Sequence, residues 1–135
     1  MYLLDTNVIS ETIKKSPNQK VLDFLMSIDA DKFSLSVITL GEIRKGIEKL
    51  QDQSKKQKVI RWLEIDLLER FYGRIINIDA GVADKWGYIC SLNNIPAIDA
   101  LIAASAIVHN HKLVTRNIKD FESINGLEIL NPWEI

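Results

Sequence analysis

Four acidic residues far apart along the chain have surroundings in which a carboxylate could do chemistry: Asp5, Glu42, Asp99 and Asp120. Asp5 directly follows the apolar run of residues 2–4. Asp99 lies within the alanine-rich apolar segment 97–104, where burying a carboxylate costs on the order of several kcal/mol unless it is paired or binds a metal. Acids that are distant in sequence can converge on one divalent cation in the folded chain. The four acids together therefore predict a metal site.

Each acid also has an ordinary structural interpretation. Asp5 would cap the helix that follows it, and Asp99 would lie in the first turn of a helix, where the macrodipole favours a carboxylate. Glu42 lies off the apolar stripe of its helix and would be exposed, while Asp120 would be a loop residue. Gly46, one turn after Glu42, costs a helix up to about 1 kcal/mol and lets another group approach closely.

The elements that must position these acids alternate between strand and helix. The predicted strands are residues 2–4, 33–35, 74–78, 112–114 and 127–130. The predicted helices are residues 6–13, 21–28, 37–50, 52–72, 80–92 and 98–109, with Thr6 or Asn7 capping the first, Ser36 capping the third and Gly73 ending the fourth. This alternation predicts a parallel sheet with helices on both faces.

Ligands of such sheets bind outside the carboxyl ends of the strands. Asp5 follows the first strand, while Arg116, Asn117 and Asp120 follow the fourth. We therefore expect Asp5 and Asp120 to share one rim, although nearly the whole chain separates them.

Length and composition predict one soluble globular domain over residues 1–135. With Cys90 as the only cysteine no internal disulfide can form, which fits a reducing compartment. The N-terminus lacks the basic segment of a signal peptide, and the longest apolar run, residues 101–108, is far shorter than the roughly 20 residues of a membrane span. We expect a cytoplasmic protein with no membrane contact.

The net charge of −1 excludes a globally basic nucleic-acid binder. Lysines and arginines nevertheless cluster locally, for example at residues 55–61 and 116–119. Such clusters either attract a phosphate backbone or form an ordinary solvated helix surface.

Four segments, in their order along the chain, resemble the PIN-domain family, and most closely its VapC-type ribonuclease toxins of prokaryotic toxin–antitoxin pairs. They are Leu-Asp-Thr-Asn at residues 4–7, the helix that carries Glu42, Asp-Ala-Leu-Ile-Ala at 99–103 and Thr-Arg-Asn-Ile-Lys-Asp-Phe at 115–121. The chain length and the closing Leu-Asn-Pro-Trp at 130–133 match as well. Each motif alone is weakly specific, but four in this order are strongly so.

The resemblance implies a three-layer α/β/α domain with a central parallel β-sheet. It implies that the catalytic, metal-site acids are Asp5, Glu42, Asp99 and Asp120, with either Asn117 or Asp120 as the fourth position. Supporting roles would fall to Thr6, Asn7, Thr115 and Asn117.

The implied activity is that of a metal-dependent endoribonuclease. Mg²⁺ and Mn²⁺ prefer oxygen ligands, and one or two such ions would activate water and offset charge on the phosphate. Arg116 and Lys119 are candidates for contact with the RNA backbone. The RNA target, and the choice of RNA over DNA, are not encoded by any local motif.

The resemblance also implies a cognate antitoxin protein and a homodimer. The apolar faces of residues 37–50 and 59–72 would supply a groove for the antitoxin, and also a dimer contact.

Two rival interpretations are compatible with parts of this pattern. A HAD-type phosphatase also places an Asp after its first strand, but needs a second Asp where this chain has Asn7. A PIN-like binding module without activity is the second rival, although the presence of all four acids argues against the loss of catalytic residues. RNA cleavage assays with Mg²⁺, Mn²⁺ and EDTA would discriminate between them.

Overall fold

The computed structural model describes all 135 residues and contains one five-stranded parallel sheet. The strands are β1 (Tyr2–Leu4), β2 (Phe33–Ser36), β3 (Ile75–Ile76), β4 (Lys112–Val114) and β5 (Ile129–Leu130). The helices are α1 (Thr6–Thr12), α2 (Gln19–Met26), α3 (Val37–Glu48), α4 (Gln53–Arg61), α5 (Leu68–Arg70), α6 (Ala80–Leu92), α7 (Ala97–Val108) and α8 (Ile118–Phe121). A π-helical segment, Trp62–Leu67, joins α4 to α5.

Two apolar cores cover the two faces of the sheet, since successive strand residues point to opposite sides. Leu4 packs in one core with side chains of α1 to α4 and of the π-helical segment, whereas Leu3 packs in the other with side chains of α6, α7 and α8. The predicted three-layer α/β/α class with a central parallel sheet is confirmed.

The strand order is β3-β2-β1-β4-β5, so the chain builds the sheet outward from β1 and later returns to the other side of it. β1 and β4 are therefore the central pair, and the register places Leu4 opposite Val114. The direction of winding reverses between these two strands, and ligands of such sheets bind beside that point, at the carboxyl ends. Asp5 and Thr115 are the next residues of the two strands.

The observed elements are mostly shorter than predicted. The predicted strands 74–78 and 127–130 reduce to pairs of residues, Ile75–Ile76 and Ile129–Leu130. The predicted helix 52–72 is one helical run with a change of hydrogen-bonding pattern in its middle, and it starts where the Asp52 carboxylate accepts bonds from the N–H groups of Ser54 and Lys55. Gly73 follows in a left-handed conformation (φ +78°), which glycine adopts without strain.

The apolar stripe of α3 lies in the protein's own core, because Ile43 and Ile47 are buried against the other helices of their layer. Part of the face of residues 37–50 nevertheless lines an open cavity, at Ile43, Ile47 and Leu50. Exposed apolar side chains also occur on the 59–72 segment, at Ile65, Leu68 and Tyr72. None of the helices combines the length and apolar character that a membrane crossing requires.

Candidate active site

Asp5 holds the end of β1 against β4 and starts α1. Its backbone N–H donates to the carbonyl of Val114 (2.9 Å), and its Oδ1 accepts from the N–H of Thr6 (2.8 Å). The prediction that Thr6 or Asn7 caps α1 is therefore wrong: Asp5 is the N-cap. A carboxylate has a second oxygen, however, so capping leaves Oδ2 free for another role.

Hydroxyl and amide groups from both central strands surround that second oxygen. The Thr115 hydroxyl donates to Asp5 Oδ2 (2.8 Å), and Asn7 Nδ2 lies 3.4 Å from the same atom. Asn7 Oδ1 in turn accepts from the N–H of Arg116 (3.3 Å), while the Thr115 hydroxyl accepts from the N–H of Asn117 (3.1 Å). The network fixes the Asp5 carboxylate at the point where the sheet changes its direction of winding.

Glu42 reaches the same region from α3. The Thr6 hydroxyl donates to Glu42 Oε1 (2.6 Å) and lies 3.3 Å from the Thr39 hydroxyl. Hydrogen bonds to a charged group are the stronger kind, so Glu42 is held rather than left as a free surface side chain. Thr39, fully buried, is a residue that the sequence analysis missed, although its position three residues before Glu42 places both on one helix face.

Asp99 lies in the first turn of α7, as predicted. The helix packs closely on the sheet because its inner residues are small: Ala100, Ala103 and Ala104 are fully buried. Asp99 itself is half-buried and its side chain makes no hydrogen bond. Neither a cap nor a partner therefore stabilises its charge.

Asp120 belongs to the short helix α8 and not to a loop, so the predicted loop is wrong. Hydrophobic packing explains the difference, because Phe121 is fully buried in the core on its side of the sheet and anchors the turn. The backbone N–H of Asp120 donates to the carbonyl of Asn117 (3.1 Å), which closes this turn. Asp120 is exposed at the same end of the sheet.

The four acids act on one another electrostatically. Burial raises the pKa of Asp5, and the charges of Glu42 and Asp120 raise it further, against the hydrogen bonds from Thr115 and Thr6. Burial also raises the pKa of Asp99, to about 6, and the charges of Asp5, Asp120 and Glu42 contribute. None of the four forms an ion pair with a lysine, arginine or histidine, so their charge is uncompensated.

The donor set fits a hard divalent cation, because every side chain that carries charge here offers only oxygen. In this conformation no three acidic, histidine or cysteine side chains are close enough to share one ion. Mg²⁺ usually retains several waters and takes only one or two carboxylates, so it does not need three acidic side chains close together.

The two cations predicted to contact RNA differ in their surroundings. The guanidinium of Arg116 lies over the ring of Trp133, with 5.1 Å between Cζ and the ring centroid, and this contact orients it at the rim. Lys119 is exposed on α8 and forms no ion pair.

Comparison with known proteins assigns this arrangement to a family. The family profile described as "PIN domain" matches residues 2–127. The chain belongs to the PIN-domain family. The predicted resemblance is thereby confirmed, and the acids at the end of the sheet belong to a PIN domain.

Relatives of this PIN domain extend over its full length. It is 37% identical to toxin FitB of Neisseria gonorrhoeae, over 98% of this chain and 99% of that one, and resembles the crystal structure of FitAcB from the same organism with a TM-score of 0.94, 36% identity and complete coverage of both chains. It is 32% identical to VapC ribonuclease Y4jK of Sinorhizobium fredii, over 99% of each chain.

A solved toxin–antitoxin complex from Klebsiella pneumoniae also matches this PIN domain. Its TM-score is 0.75 at 28% identity, and the match covers 100% of both chains. The similarity to VapC ribonuclease Y4jK confirms the VapC-type part of the predicted resemblance.

Proposed function

We propose that this PIN domain is a metal-dependent endoribonuclease, the toxin of a toxin–antitoxin pair, that hydrolyses RNA phosphodiester bonds. The observation that carries the proposal is the uncompensated charge of four carboxylates at the carboxyl end of the sheet. A site that binds a polyanion must have its negative charge neutralised, and no lysine, arginine or histidine of this chain pairs with these acids to neutralise it. The ribonuclease and toxin names of the relatives support the same function.

The residues that would hold Mg²⁺ or Mn²⁺ are Asp5, Glu42, Asp99 and Asp120. The bound ion would supply an activated water and neutralise charge developing on the phosphate. Asp120 is favoured over Asn117 as the fourth residue, because the charge of Asp120 acts on both Asp5 and Asp99.

The chain's own groups prepare this site before any ligand arrives. Thr115 and Thr6 orient the two oxygens of Asp5, and the Thr6 hydroxyl also holds Glu42 Oε1. A single hydroxyl thus connects α1 to α3. Asp99, with its raised pKa, holds a proton more readily than an ordinary aspartate, and binding a cation would displace that proton. Arg116 and Lys119 are placed to contact the RNA backbone outside the acids.

RNA cleavage tests the proposal. The protein is incubated with total RNA and with single-stranded DNA in Mg²⁺, Mn²⁺ or EDTA, and Asp99→Asn is compared with Asp84→Asn, an exposed acid on α6 without an ion pair. Cleavage should require a divalent cation and should be lost in the Asp99 variant only. Cleavage in EDTA, or an Asp99→Asn variant as fast as the parent, would contradict the metal site, and binding without cleavage would indicate an inactive module.

We infer that the partner is an antitoxin that covers the 59–72 segment. An apolar cavity of about 370 Å³ opens there, and its lining includes Trp62, Leu67 and Phe71. Ile65, Leu68 and Tyr72 of the same segment are exposed apolar side chains outside the cavity lining. The toxin–antitoxin complex among the structural neighbours supports a protein partner.

Tyr72→Ser should weaken binding of the protein encoded beside this gene, since Tyr72 is 87% exposed and no contact within the domain depends on it. Tyr88→Ser on α6, in the opposite layer and 60% exposed, is the matched control. Equal effects of both substitutions in isothermal titration calorimetry would place the antitoxin elsewhere.

A further inference from the structure

A second cavity, of about 260 Å³, lies directly beside Glu42. It lies among α1, α3 and α4 and shares Thr6 and Glu42 with the site described above. Ser10 adds a second hydroxyl, and the walls are aliphatic: Ile13, Ile43, Ile47, Leu50 and Val59. We call this cavity the Gly46 groove, after the glycine that lines it.

Gly46 keeps the groove open. It lies one turn after Glu42, on the same face of α3. A Cβ placed on Gly46 would meet no atom within 4 Å, so the packing of the domain does not require a glycine there. Glycine also weakens a helix relative to alanine or leucine. Gly41 and Gly87 are equally unconstrained, so Gly46 is distinguished by its position: it lines the cavity beside Glu42, and a longer side chain there would project into that space.

The lining of the groove also includes cations. Lys14 and Lys55 line it, but the charge of Lys14 is shared with Glu11 Oε1 at 2.8 Å. Lys55 forms no ion pair, whereas its neighbour Lys56 binds Glu48 (3.2 Å). The groove therefore combines Glu42, two hydroxyls and aliphatic walls with a lysine that forms no ion pair within the domain.

We propose that the Gly46 groove binds one nucleotide of the RNA strand, next to the phosphodiester that is cut. The base packs on the aliphatic walls, its polar edge meets the hydroxyls of Thr6 and Ser10, and Lys55 contacts a phosphate. The volume is close to the roughly 300 Å³ at which pockets for small molecules begin, so the groove can accept a group of about the size of one nucleoside. This inference rests on the proposed function and adds to it the residues that select the nucleotide.

Filling the groove tests the proposal. Gly46→Leu projects a side chain into the groove and improves helix propensity, so the variant should fold. Gly87→Leu is the matched control, because Gly87 also lies within a helix, α6, and its Cβ would also meet nothing within 4 Å. Binding of a fluorescein-labelled pool of short random single-stranded RNAs is measured by anisotropy in Ca²⁺, an oxygen-preferring cation that offsets the charge of the acids, with thermal melting as the check on folding.

We expect Gly46→Leu to bind RNA about tenfold more weakly, the change that corresponds to losing the contact of one base, and Gly87→Leu to bind like the parent. Removing a cation gives a second, independent measure. Lys55→Gln should reduce the slope of log affinity against log salt by roughly 0.7, the value for one lost phosphate contact on a single strand. Lys58→Gln, on the same helix but outside the groove, should leave the slope unchanged.

Three results would overturn the proposal: no RNA binding by the parent, equal effects of each variant and its control, or a Gly46→Leu variant that binds RNA normally and loses only the antitoxin. The last result would assign the groove to the protein partner. A parent that binds RNA through the groove but cleaves none with Mg²⁺ or Mn²⁺ would refute the proposed function and leave the groove as an RNA subsite. A parent that cleaves, with Gly46→Leu equal to it in binding and cleavage, would refute the groove alone.

Discussion

Replacing Asp99 by asparagine should make the metal-free protein more stable while abolishing its cleavage of RNA. The Asp99 side chain makes no hydrogen bond and no ion pair, so the substitution removes an unfavourable charge and no favourable contact. An active site that destabilises its own fold is the expected cost of gathering like charges for function.

The expected gain in stability of Asp99→Asn follows from the pKa of Asp99. Burial, with the charges of the other three acids, raises the pKa of Asp99 from 3.8 to about 6. At about 1.4 kcal/mol per unit, this shift corresponds to about 3 kcal/mol of destabilisation once the group is fully ionised. Solvent screening at a half-exposed position reduces the expected value to roughly 1–1.5 kcal/mol. For a domain of this size that is a rise in melting temperature of roughly 4–6 °C.

The direction of the pKa shift of Asp99 determines how the stability depends on pH. Because the folded-state pKa is raised, the folded parent binds more protons than the unfolded chain between about pH 4 and 6, and its stability falls as pH rises through that window. The difference between Asp99→Asn and the parent should therefore be absent below about pH 4 and complete above about pH 6 to 7.

Urea denaturation in EDTA across this pH range measures the free energy of unfolding, with Asp84→Asn as the control. Mg²⁺ at about ten times its dissociation constant should restore about 1.4 kcal/mol to the parent and less to the Asp99 variant. A variant no more stable than the parent above pH 7, or a stability difference that does not change with pH, would refute the electrostatic account.

Three further predictions concern other parts of the structure. Thr115→Val removes the hydroxyl that donates to buried Asp5 Oδ2 at 2.8 Å, so it should lower the free energy of unfolding by about 2 kcal/mol in urea titrations, whereas Thr115→Ser should lower it much less. The hydrogen bond from Lys14 lowers the pKa of Glu11, so the pair stabilises the fold above about pH 4.5, and this contribution disappears as pH falls. Glu11→Gln should therefore make the free energy of unfolding fall less steeply as pH is lowered below about 4.5. An unchanged pH dependence would show that the pair does not contribute to stability. The predicted homodimer should appear in sedimentation velocity at micromolar concentration, and a monomer there would contradict it.

Local patterns predicted the parts of the fold that depend on local chemistry. The strand before Asp5 and the helix whose first turn contains Asp99 follow from apolar runs, and both are present. The meeting of Asp5 with Thr115 also follows, because parallel strands bring their carboxyl ends to one edge.

Other features depend on contacts that no window of sequence contains. The π-helical turns at Trp62–Leu67 lie where Leu63 and Leu67 pack into the core, and α8 forms because Phe121 is buried. The bonds from Thr115 to Asp5 and from Asn7 to Thr115 join residues that are 110 and 108 positions apart. The metal ligands themselves, and the choice between Asn117 and Asp120, stay predictions that only a bound ion can test.

The pairing of β1 with β4 also determines when the acids come together. A nascent chain leaves the ribosome from its N-terminus, and its early parts begin to fold before its later parts exist. Until residues 112–114 emerge, β1 lacks its central neighbour, Asp5 lacks the Thr115 hydroxyl, and Asp120 has not been made. A non-local pairing of this kind also forms slowly. Unfinished chains and fragments that stop before β4 therefore cannot assemble the site of the four acids. The site forms only when translation of the domain is almost complete.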